Sequence, residues 1–289
     1  MELTSSLPKF RECSGDRKYR DLSPVDLQTE DNLNLWRHLE NLAQISGREI
    51  TSLRVLDFGC GRGEFVGYLR SKGVQAFGVE IDEKLIASGA MLETMYPDSV
   101  PLLSLVGSDG KVGFPDGYFD IIVANQVFEH VAQLDGVAAE LYRLLGTQGC
   151  LLTLFPARFR LIEPHYHLAL VHWLPKGALQ QAMIRLLVRL GFGVPPPGNM
   201  SRQMMGRVIA EYAQCETFYR SNKQIGGLCS ARGIELDFRL IPQQMLSKKL
   251  ERLSGLKRLA YVGLAKLLPL IALRNNFKTC AAVGRKHRL

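Results

Sequence analysis

The stretch Val55–Phe65, VLDFGCGRGEF, decides the fold class of this chain. An apolar run leads into Asp57, and glycines follow at positions 59, 61 and 63. Such a run before a glycine-rich turn predicts a buried strand that turns sharply into a helix. Glycine tolerates positive φ and lets the backbone approach a ligand closely, and free N–H groups at a helix start attract anions. The stretch therefore predicts a ligand-binding loop between a strand and a helix.

From residue 53 onward, short apolar runs and helical patterns alternate along the chain. The apolar runs, which predict strands, occupy residues 53–58, 74–80, 101–107, 119–125 and 149–155, and helical patterns begin near 62 and 82 and cover 133–145. Near-continuous apolar strands are typical of a parallel sheet that helices cover on both faces. We expect a doubly wound α/β domain, with an N-terminal helix over 24–45 that covers one edge.

Composition fits one folded unit with elaborations. The 289 residues are 46% hydrophobic, which is enough to fill a sizeable core. Six cysteines lie far apart without a CxxC pair, which argues against a zinc cluster or a disulfide framework and favours a reducing compartment. The first residues lack a basic segment followed by an apolar run, so we expect a cytoplasmic protein without a signal peptide.

Charge is distributed very unevenly along the chain. Residues 1–150 carry 14 Lys and Arg against 22 Asp and Glu, whereas residues 151–289 carry 22 against 6. The basic second half either faces an anionic partner, such as a phosphate-bearing substrate, a lipid headgroup layer or nucleic acid, or has a solvated basic surface. Nucleic acid is not expected, because no binding signature and no aromatic stacking platform accompany the basic residues.

The spacing of the glycines separates two kinds of ligand. A dinucleotide fingerprint, G-x-G-x-x-G, that begins at Gly59 requires glycine at position 64, where this chain has Glu64. Asp57 beside the loop also repels a pyrophosphate but attracts an ammonium group. The cofactor is therefore expected to be partly cationic, as is S-adenosylmethionine with its ammonium and sulfonium groups.

Over roughly residues 50–156 the chain resembles the class I S-adenosylmethionine-dependent methyltransferases, and within them the type 11 group. Four segments carry the resemblance, in the order and spacing of that family: VLDFGCGRGEF at 55–65, GVEID at 78–82, FPDGYFDIIVANQVFEHV at 114–131 and LYRLLGTQGCLLTLFP at 141–156. The resemblance implies a mostly parallel, seven-stranded Rossmann-like sheet and S-adenosylmethionine as the cofactor.

The same resemblance implies a set of cofactor-binding positions. Asp57 and the glycine loop would hold the methionine part, Glu80 would accept hydrogen bonds from the ribose hydroxyls, and Asp109 would accept from the adenine amino group. Asp109 could instead be an ordinary turn residue, because the segment after it is one residue shorter than is common in the family. The complete implied set is Asp57, Gly59, Cys60, Gly61, Gly63, Glu80, Ile81, Asp109, Asn125 and Gln126.

Three histidines are candidates for a general base. His130 follows the fourth strand, where the family places groups near the reacting methyl, although a histidine there can also form only a local hydrogen bond. His165 and His172 lie in EPHYHLALVHWLP at 163–175, which resembles a segment of some bacterial type 11 methyltransferases. We expect Glu163, His165 or His172 to approach the acceptor, with structural packing as the alternative for each. No metal is expected, because Cys pairs and H-E-x-x-H spacing are absent nearby.

Beyond Pro156 the chain departs from the shared core. The next convincing strand, IELDFRLI at 234–241, lies roughly 80 residues on, so we expect an insertion that forms an acceptor lid. A last strand, FKTCAAVG, is expected at 277–284. The predicted organisation is an N-terminal helical extension at 1–50, a cofactor-binding core at 51–156, the insertion at 157–232 and the C-terminal completion of the sheet at 233–289.

An apolar, basic segment at 248–273 has two interpretations. Its 15-residue run LAYVGLAKLLPLIAL is shorter than a membrane-spanning helix and contains Lys266 and Pro269. It could pack on the sheet as a core helix. It could also lie in the headgroup layer at the inner face of a membrane, with its lysines and arginines near anionic lipids.

Together these features predict an S-adenosylmethionine-dependent methyltransferase that O-methylates a small, glycan-linked or lipid-linked acceptor. Methylation of a quinone-like or polyketide-like hydroxyl is an alternative that an apolar lid would also suit. A second alternative is a protein that binds the cofactor without turnover and serves as an interaction or membrane-docking module. Oligomeric state does not follow from the sequence.

Overall fold

A single mixed sheet organises the molecule. The computed structural model describes residue 10, residues 19–240 and residues 279–286. Within this part the strands are β1 (Arg54–Phe58), β2 (Gln75–Glu80), β3 (Leu103–Leu105), β4 (Phe119–Asn125), β5 (Leu145–Pro156), β6 (Ile234–Asp237) and β7 (Thr279–Lys286). Their order across the sheet is β3-β2-β1-β4-β5-β7-β6, which confirms the predicted seven-stranded architecture.

Helices connect the strands and extend the chain between β5 and β6. In the described residues they are α1 (Glu30–Ile45), α2 (Glu64–Ser71), α3 (Glu83–Ser88), α4 (Met91–Met95), α5 (Leu134–Leu144), α6 (Ala178–Arg189), α7 (Arg202–Cys215) and α8 (Asn222–Ser230). Short 3-10 turns occupy Pro24–Leu27, Ile50–Ser52, Phe128–His130 and Val171–Trp173. The alternation of strands and helices from β1 to β5 is that of a doubly wound α/β fold.

The order of the strands fixes where a ligand can bind. β1 to β5 run parallel, and β7 runs antiparallel to both β5 and β6. The strand order reverses between β1 and β4, where Asp57 pairs in register with Val123. In sheets of this kind ligands bind beyond the carboxyl ends of the strands at such a reversal. The glycine loop follows β1 directly and therefore lies at this point.

Apolar side chains on the two faces of the sheet form two separate cores. Val55 and Leu152 pack with apolar residues of α1 and α2 on one face. Leu56 and Leu151, which are their neighbours in the chain, pack with residues of α5 and α8 on the other. Neighbouring residues of a pleated strand point to opposite faces, so strands covered on both faces must be apolar throughout. This packing explains the continuous apolar runs of the sequence.

Residues of the insertion build a third apolar core. Ile184 and Val188 of α6 pack with Met205 of α7, and the buried ring of Tyr166 joins the same cluster. Gly206 lets the two helices approach, because a Cβ at this position would lie 3.3 Å from the Arg185 Cα. The insertion therefore has an interior of its own.

The predicted N-terminal helix is interrupted. A 3-10 turn, Pro24–Leu27, precedes α1 instead of continuing into it. The Thr29 hydroxyl accepts the N–H of Asn32 at 3.1 Å and so caps the first turn of α1. The helix expected over 24–45 is therefore two elements, the 3-10 turn and α1.

Two of the predicted C-terminal elements, the strands at 234–241 and 277–284, can be compared with the structure. β6 ends at Asp237 rather than at residue 241, because the Asp237 carboxylate accepts the N–H groups of the residues that follow and turns the chain. β7 covers Thr279–Lys286, close to the expected 277–284. The segment predicted at 248–273 lies outside the described residues. Among the residues that are described, no helix is both long and apolar enough to cross a bilayer.

Candidate active site

A cavity of about 760 Å³ lies at the carboxyl ends of β1, β2 and β4. Its walls come from the glycine loop, from α1 and the turn before it, and from the insertion. Nine of the thirteen predicted site residues line it: Asp57, Gly59, Cys60, Gly61, Glu80, Asn125, Gln126, His130 and His165. The fold thus brings positions from three strands and the insertion together in one place.

Three left-handed glycines shape the loop after β1. Gly59, Gly61 and Gly63 have φ values of 81°, 59° and 83°. At Gly59 an added Cβ would also lie 2.6 Å from the Val127 Cγ2, so a larger residue does not fit. At Gly61, in contrast, an added Cβ would meet only the Glu64 carboxylate at 3.8 Å. The loop is therefore tightly packed at Gly59 and open at Gly61, where a ligand can approach the backbone.

Glu80, at the end of β2, ties the loop to the neighbouring strand. Its carboxylate accepts the N–H of Gly61 at 3.0 Å and the N–H of Ile81 at 2.7 Å. A carboxylate has about four acceptor positions, so Glu80 can hold the loop and still accept from ligand hydroxyls. The side chain of Ile81 is 79% exposed. The backbone N–H of Ile81, and not its side chain, helps to hold the Glu80 carboxylate in place.

Asp57 is a buried carboxyl group in acidic surroundings. Burial, and then the negative charges of Glu64 and Glu80, raise the pKa of Asp57 to about 7. A positive charge placed beside these groups would offset both the desolvation of Asp57 and the repulsion. The electrostatics of the cavity therefore favour a cationic ligand next to β1.

Two buried polar residues complete this end of the cavity, and the sequence prediction missed both. Arg62 donates to the Glu64 carboxylate at 2.6 Å and to the Arg20 carbonyl at 2.9 Å. Asn32 of α1 donates to the carbonyl oxygens of Leu27 and Glu64 at 2.9 and 3.3 Å. Both residues line the cavity, so α1 forms part of the site and does more than cover an edge of the sheet.

The end of β4 supplies Asn125 and Gln126. Gln126 has a φ of 58°, a left-handed conformation that is uncommon for residues other than glycine. Its N–H donates to the Leu154 carbonyl at 2.7 Å, which holds this conformation in place. Strained backbone of this kind is concentrated at functional sites. Asn125 and Gln126 both line the cavity, and their roles in cofactor binding stay predictions.

The insertion contributes a fully buried carboxylate, Glu163, that organises its neighbours. It accepts hydrogen bonds from the His165 Nδ1 at 2.7 Å, from the backbone N–H groups of His165 and Tyr166, and from the Tyr219 hydroxyl. Although burial opposes its ionisation, these bonds hold the pKa of Glu163 below its usual range. Burial and the charge of Glu163 raise the pKa of Tyr219, so its hydroxyl remains a donor.

The contact with Glu163 fixes the imidazole of His165. With Nδ1–H directed at the carboxylate, Nε2 carries the lone pair and can accept a proton. The His165 ring makes edge-to-face contacts with His130 and Tyr212, at centroid distances of 5.1 and 5.8 Å. An oriented imidazole backed by a carboxylate is an arrangement that can act as a general base.

His130 lies directly beside this pair. Its Nδ1 is 2.8 Å from the Glu216 carbonyl oxygen, which fixes the ring, and its Nε2 is 4.0 Å from the Glu129 carboxylate. Glu129, His130 and His165 offer atoms that all lie within 4.8 Å of one another, a set that could hold a metal ion. The sequence spacing did not indicate this set, because two members follow β4 and the third comes from the insertion. The expectation of no metal stays a prediction.

The other predicted positions lie away from the cavity lining. Gly63 is the N-cap residue of α2. Asp109 accepts the N–H of Lys111 at 2.9 Å within a turn. His172 is buried, which lowers its pKa, and its ring lies 5.2 Å from the Tyr219 ring at a second cavity of about 380 Å³. Roles for Asp109 in cofactor binding and for His172 in catalysis stay predictions.

These features fit S-adenosylmethionine. The cavity has the size of a small-molecule site. The acidic surroundings of Asp57 suit a ligand that carries an ammonium and a sulfonium group, and the Glu80 carboxylate, which only accepts, suits a ribose diol. The open space at Gly61 leaves room for the ligand beside the loop.

Comparison with known proteins is consistent with this geometry. A family model described as a methyltransferase domain matches residues 30–189, more than half of the chain. The chain is similar to the O-antigen chain terminator bifunctional methyltransferase/kinase of Escherichia coli, with 33% identity over 153 residues, which are 50% of this chain and 20% of that protein. It is also similar to the malonyl-[acyl-carrier protein] O-methyltransferase of Legionella pneumophila, with 33% identity over 144 residues, which are 47% of this chain and 46% of that protein.

Solved structures match this chain at lower identity. One is phosphoethanolamine N-methyltransferase 2 of Haemonchus contortus in complex with S-adenosyl-L-methionine, which is 16% identical with a TM-score of 0.47. The match covers 88% of this chain and 52% of that chain. The chain spans less than half the length of each of the two curated relatives named above.

Proposed function

Because the chain belongs to the methyltransferase-domain family and depends on S-adenosylmethionine, we propose that it methylates a hydroxyl oxygen of a glycan-linked or lipid-linked acceptor. One observation carries the proposal: a single cavity contains the acidic positions Asp57 and Glu80 together with His165, whose ring is held by a buried carboxylate. Methylation of a hydroxyl needs a bound methyl donor and, close to it, a group that takes the hydroxyl proton. This cavity offers positions for both.

We assign the cofactor to the end of the cavity formed by β1, β2 and the glycine loop. When bound, S-adenosylmethionine supplies an electrophilic methyl group on a positively charged sulfur. Asp57 attracts the positive charge, Glu80 accepts from the ribose hydroxyls, and the N–H groups at the start of α2 attract the carboxylate. Asn125 and Gln126 orient the ligand from the side of β4.

His165 is the proposed general base. Glu163 fixes the ring through Nδ1 and stabilises the positive charge that forms when Nε2 takes the acceptor proton. Tyr219 positions Glu163 by donating a hydrogen bond to it. His130, whose ring contacts that of His165, orients the acceptor beside the base. Because His165 takes the proton, the acceptor oxygen does not carry a full negative charge during methyl transfer.

The acceptor class is supported by the polar character of this part of the cavity. His130, His165, His167 and Tyr212 all line it, and their donors and acceptors suit the hydroxyl groups of a sugar. By their names, one relative is a methyltransferase of O-antigen chains and another is an O-methyltransferase. The second name supports oxygen as the acceptor atom, and the first supports a glycan acceptor.

Turnover with methyl-labelled S-adenosylmethionine tests the proposal. The acceptor panel contains soluble sugars, lipid-linked glycans and quinone-like phenols. We expect label in a glycan or glycolipid acceptor, and we expect His165→Asn to lower kcat by about 10²- to 10⁴-fold while the cofactor Kd stays unchanged. His38→Asn, a histidine of α1 that does not line the cavity, is the matched control. Equal kcat for His165→Asn and His38→Asn would remove His165 from the role of base.

The same assay separates the alternatives. Label confined to the phenols would favour the quinone-like or polyketide-like acceptors. Cofactor binding without release of S-adenosylhomocysteine, with every acceptor tested, would favour a binding module without turnover.

A further inference from the structure

The insertion exposes an unusual concentration of large apolar side chains. Ten of the seventeen exposed large apolar residues in the described part of the chain lie between residues 159 and 192. We call these ten the lid face: Phe159, Leu161, Ile162, Leu170, Trp173, Leu179, Met183, Leu186, Leu190 and Phe192. Single exposed apolar residues are normal on a protein surface, but a concentration of this kind marks an interaction site.

Hydrogen bonds and ring contacts connect the segments that carry the lid face. The Leu170 N–H donates to the Leu161 carbonyl at 2.9 Å, which pairs the two sides of a short hairpin. Trp173 packs edge-on against Phe159 at 6.3 Å. The Gln180 amide donates to the Val171 carbonyl at 3.0 Å and so fastens the start of α6 to the same hairpin. The exposed apolar residues therefore belong to one connected substructure.

Helix α6 has three sides with different surroundings. Gln180, Ile184 and Val188 are buried in the core of the insertion. Leu179, Met183, Leu186 and Leu190 recur at intervals of three and four residues, so they share a second, exposed face. Arg185 and Arg189 lie on the third side. At 3.6 residues per turn, the three sides are about 120° apart around the helix axis. An exposed apolar stripe flanked by arginines is typical of helices that lie in a membrane interface.

The insertion is predominantly basic. Residues 157–232 carry ten Lys and Arg against three Glu, and one of the three, Glu163, is fully buried. Seven of the basic residues lie between positions 158 and 207: Arg158, Arg160, Lys176, Arg185, Arg189, Arg202 and Arg207. Anionic lipid headgroups complement such a surface, and each nearby Lys or Arg adds to the attraction. A symmetric contact between two copies of the chain would instead bring two surfaces of the same positive charge together.

We propose that the lid face docks on an anionic lipid bilayer, with its apolar side chains in the headgroup layer and its arginines at the lipid phosphates. This surface is distinct from the segment 248–273, where the sequence suggested a membrane contact. The hairpin that exposes Leu161 and Leu170 also carries Glu163 and His165. Docking therefore brings the proposed catalytic hairpin to the bilayer surface, where a lipid-linked acceptor resides. The docking itself does not depend on catalysis.

Co-sedimentation of the full chain with vesicles tests the docking. The vesicles contain phosphatidylcholine alone or mixed with phosphatidylglycerol, and neither cofactor nor acceptor is present. We expect binding to the anionic vesicles only, with a loss of at least about tenfold in Leu179→Ser/Leu186→Ser and a further loss at high salt. The matched control, Ile45→Ser/Val100→Ser, removes two exposed apolar residues elsewhere on the surface and should bind as the wild type does. Far-UV circular dichroism checks that both variants are folded.

Tryptophan quenching by brominated lipid gives an independent measurement on the same vesicles. Trp173, 42% exposed, should be quenched, and the quenching should vanish in Trp173→Phe but persist in Trp36→Phe. Absence of binding to anionic vesicles would overturn the proposal. So would binding that Leu179→Ser/Leu186→Ser retains in full, or a dimer in sedimentation velocity that these substitutions abolish without any vesicle binding. None of these outcomes bears on methyl transfer, which the labelled-cofactor assay measures separately.

Discussion

The state of Asp57 should make the affinity for the cofactor depend on pH near neutrality. Burial, and then the charges of Glu64 and Glu80, raise its pKa to about 7, and a cationic ligand needs the ionised form. With this pKa, Asp57 is about 90% ionised at pH 8 and about 10% ionised at pH 6. The affinity for S-adenosylmethionine should therefore be about tenfold weaker at pH 6 than at pH 8, if no other group titrates on binding.

Isothermal titration calorimetry measures this effect and its cause together. Bound cofactor stabilises the carboxylate, so at pH 7 binding should release about half a proton, which appears as a difference between buffers of unlike ionisation enthalpy. Asp57→Asn should weaken binding at pH 8 and abolish most of the pH dependence. An affinity that is the same at pH 6 and pH 8 in the wild type, with no proton released, would show that Asp57 does not ionise when the cofactor binds.

The same substitution should stabilise the protein without cofactor. An acid whose pKa is raised on folding loses stability as pH rises from its unfolded value, 3.8, towards 7, and the loss is complete above pH 7. Asp57→Asn should therefore raise the free energy of unfolding at pH 8 by an amount on the order of 4 kcal/mol, and by much less at pH 4. A variant that is more stable yet binds more weakly would identify Asp57 as a residue kept for binding.

Four further substitutions test other parts of the account. Glu80→Gln should raise the cofactor Kd about 10- to 100-fold in calorimetry, because a charged acceptor for the ribose hydroxyls is lost, and an unchanged Kd would speak against this contact. Tyr219→Phe should lower kcat about 2- to 10-fold through the lost hydrogen bond to Glu163, with the cofactor Kd unaffected; a full-rate variant would show that Tyr219 does not position the carboxylate. Gly59→Ala should cost at least about 2 kcal/mol in urea unfolding, because the left-handed φ and the Val127 contact both oppose a Cβ, and wild-type stability would contradict the loop geometry. Thr29→Ala should cost about 1 kcal/mol in the same measurement by removing the cap of α1, and no change would show that the cap is dispensable.

The sequence predicted the sheet well because the parallel strands are buried on both faces. β4, Phe119–Asn125, was predicted at its observed bounds, because a strand that is covered on both faces forms a nearly continuous apolar run in the sequence. β6 was predicted too long. The last residues of the predicted strand are mostly apolar, but the Asp237 carboxylate accepts the backbone N–H groups of Arg239 and Leu240 and ends the strand. A hydrophobic pattern does not show that a side chain competes in this way for backbone hydrogen bonds.

The candidate site was predictable where its residues lie in one motif and not where distant segments meet. The positions at the carboxyl ends of β1, β2 and β4 followed from the resemblance, and all of them except Gly63 and Ile81 line one cavity. Tyr219 and Asn32 were missed, because their roles depend on contacts with Glu163 and with the loop that only the tertiary fold creates. His172 shares its segment with His165 but faces another cavity, since side chains seven residues apart on an irregular hairpin need not point the same way.

The chemical nature of the methylated product decides whether the cavity transfers a methyl group to a hydroxyl. After incubation with methyl-labelled S-adenosylmethionine and a lipid-linked glycan fraction, we expect label in a methyl ether that resists mild alkali, and a yield that falls by at least about 100-fold with His165→Asn. Label in an alkali-labile ester or on nitrogen would contradict hydroxyl methylation. An equal yield of methyl ether from His165→Asn would contradict the proposed base.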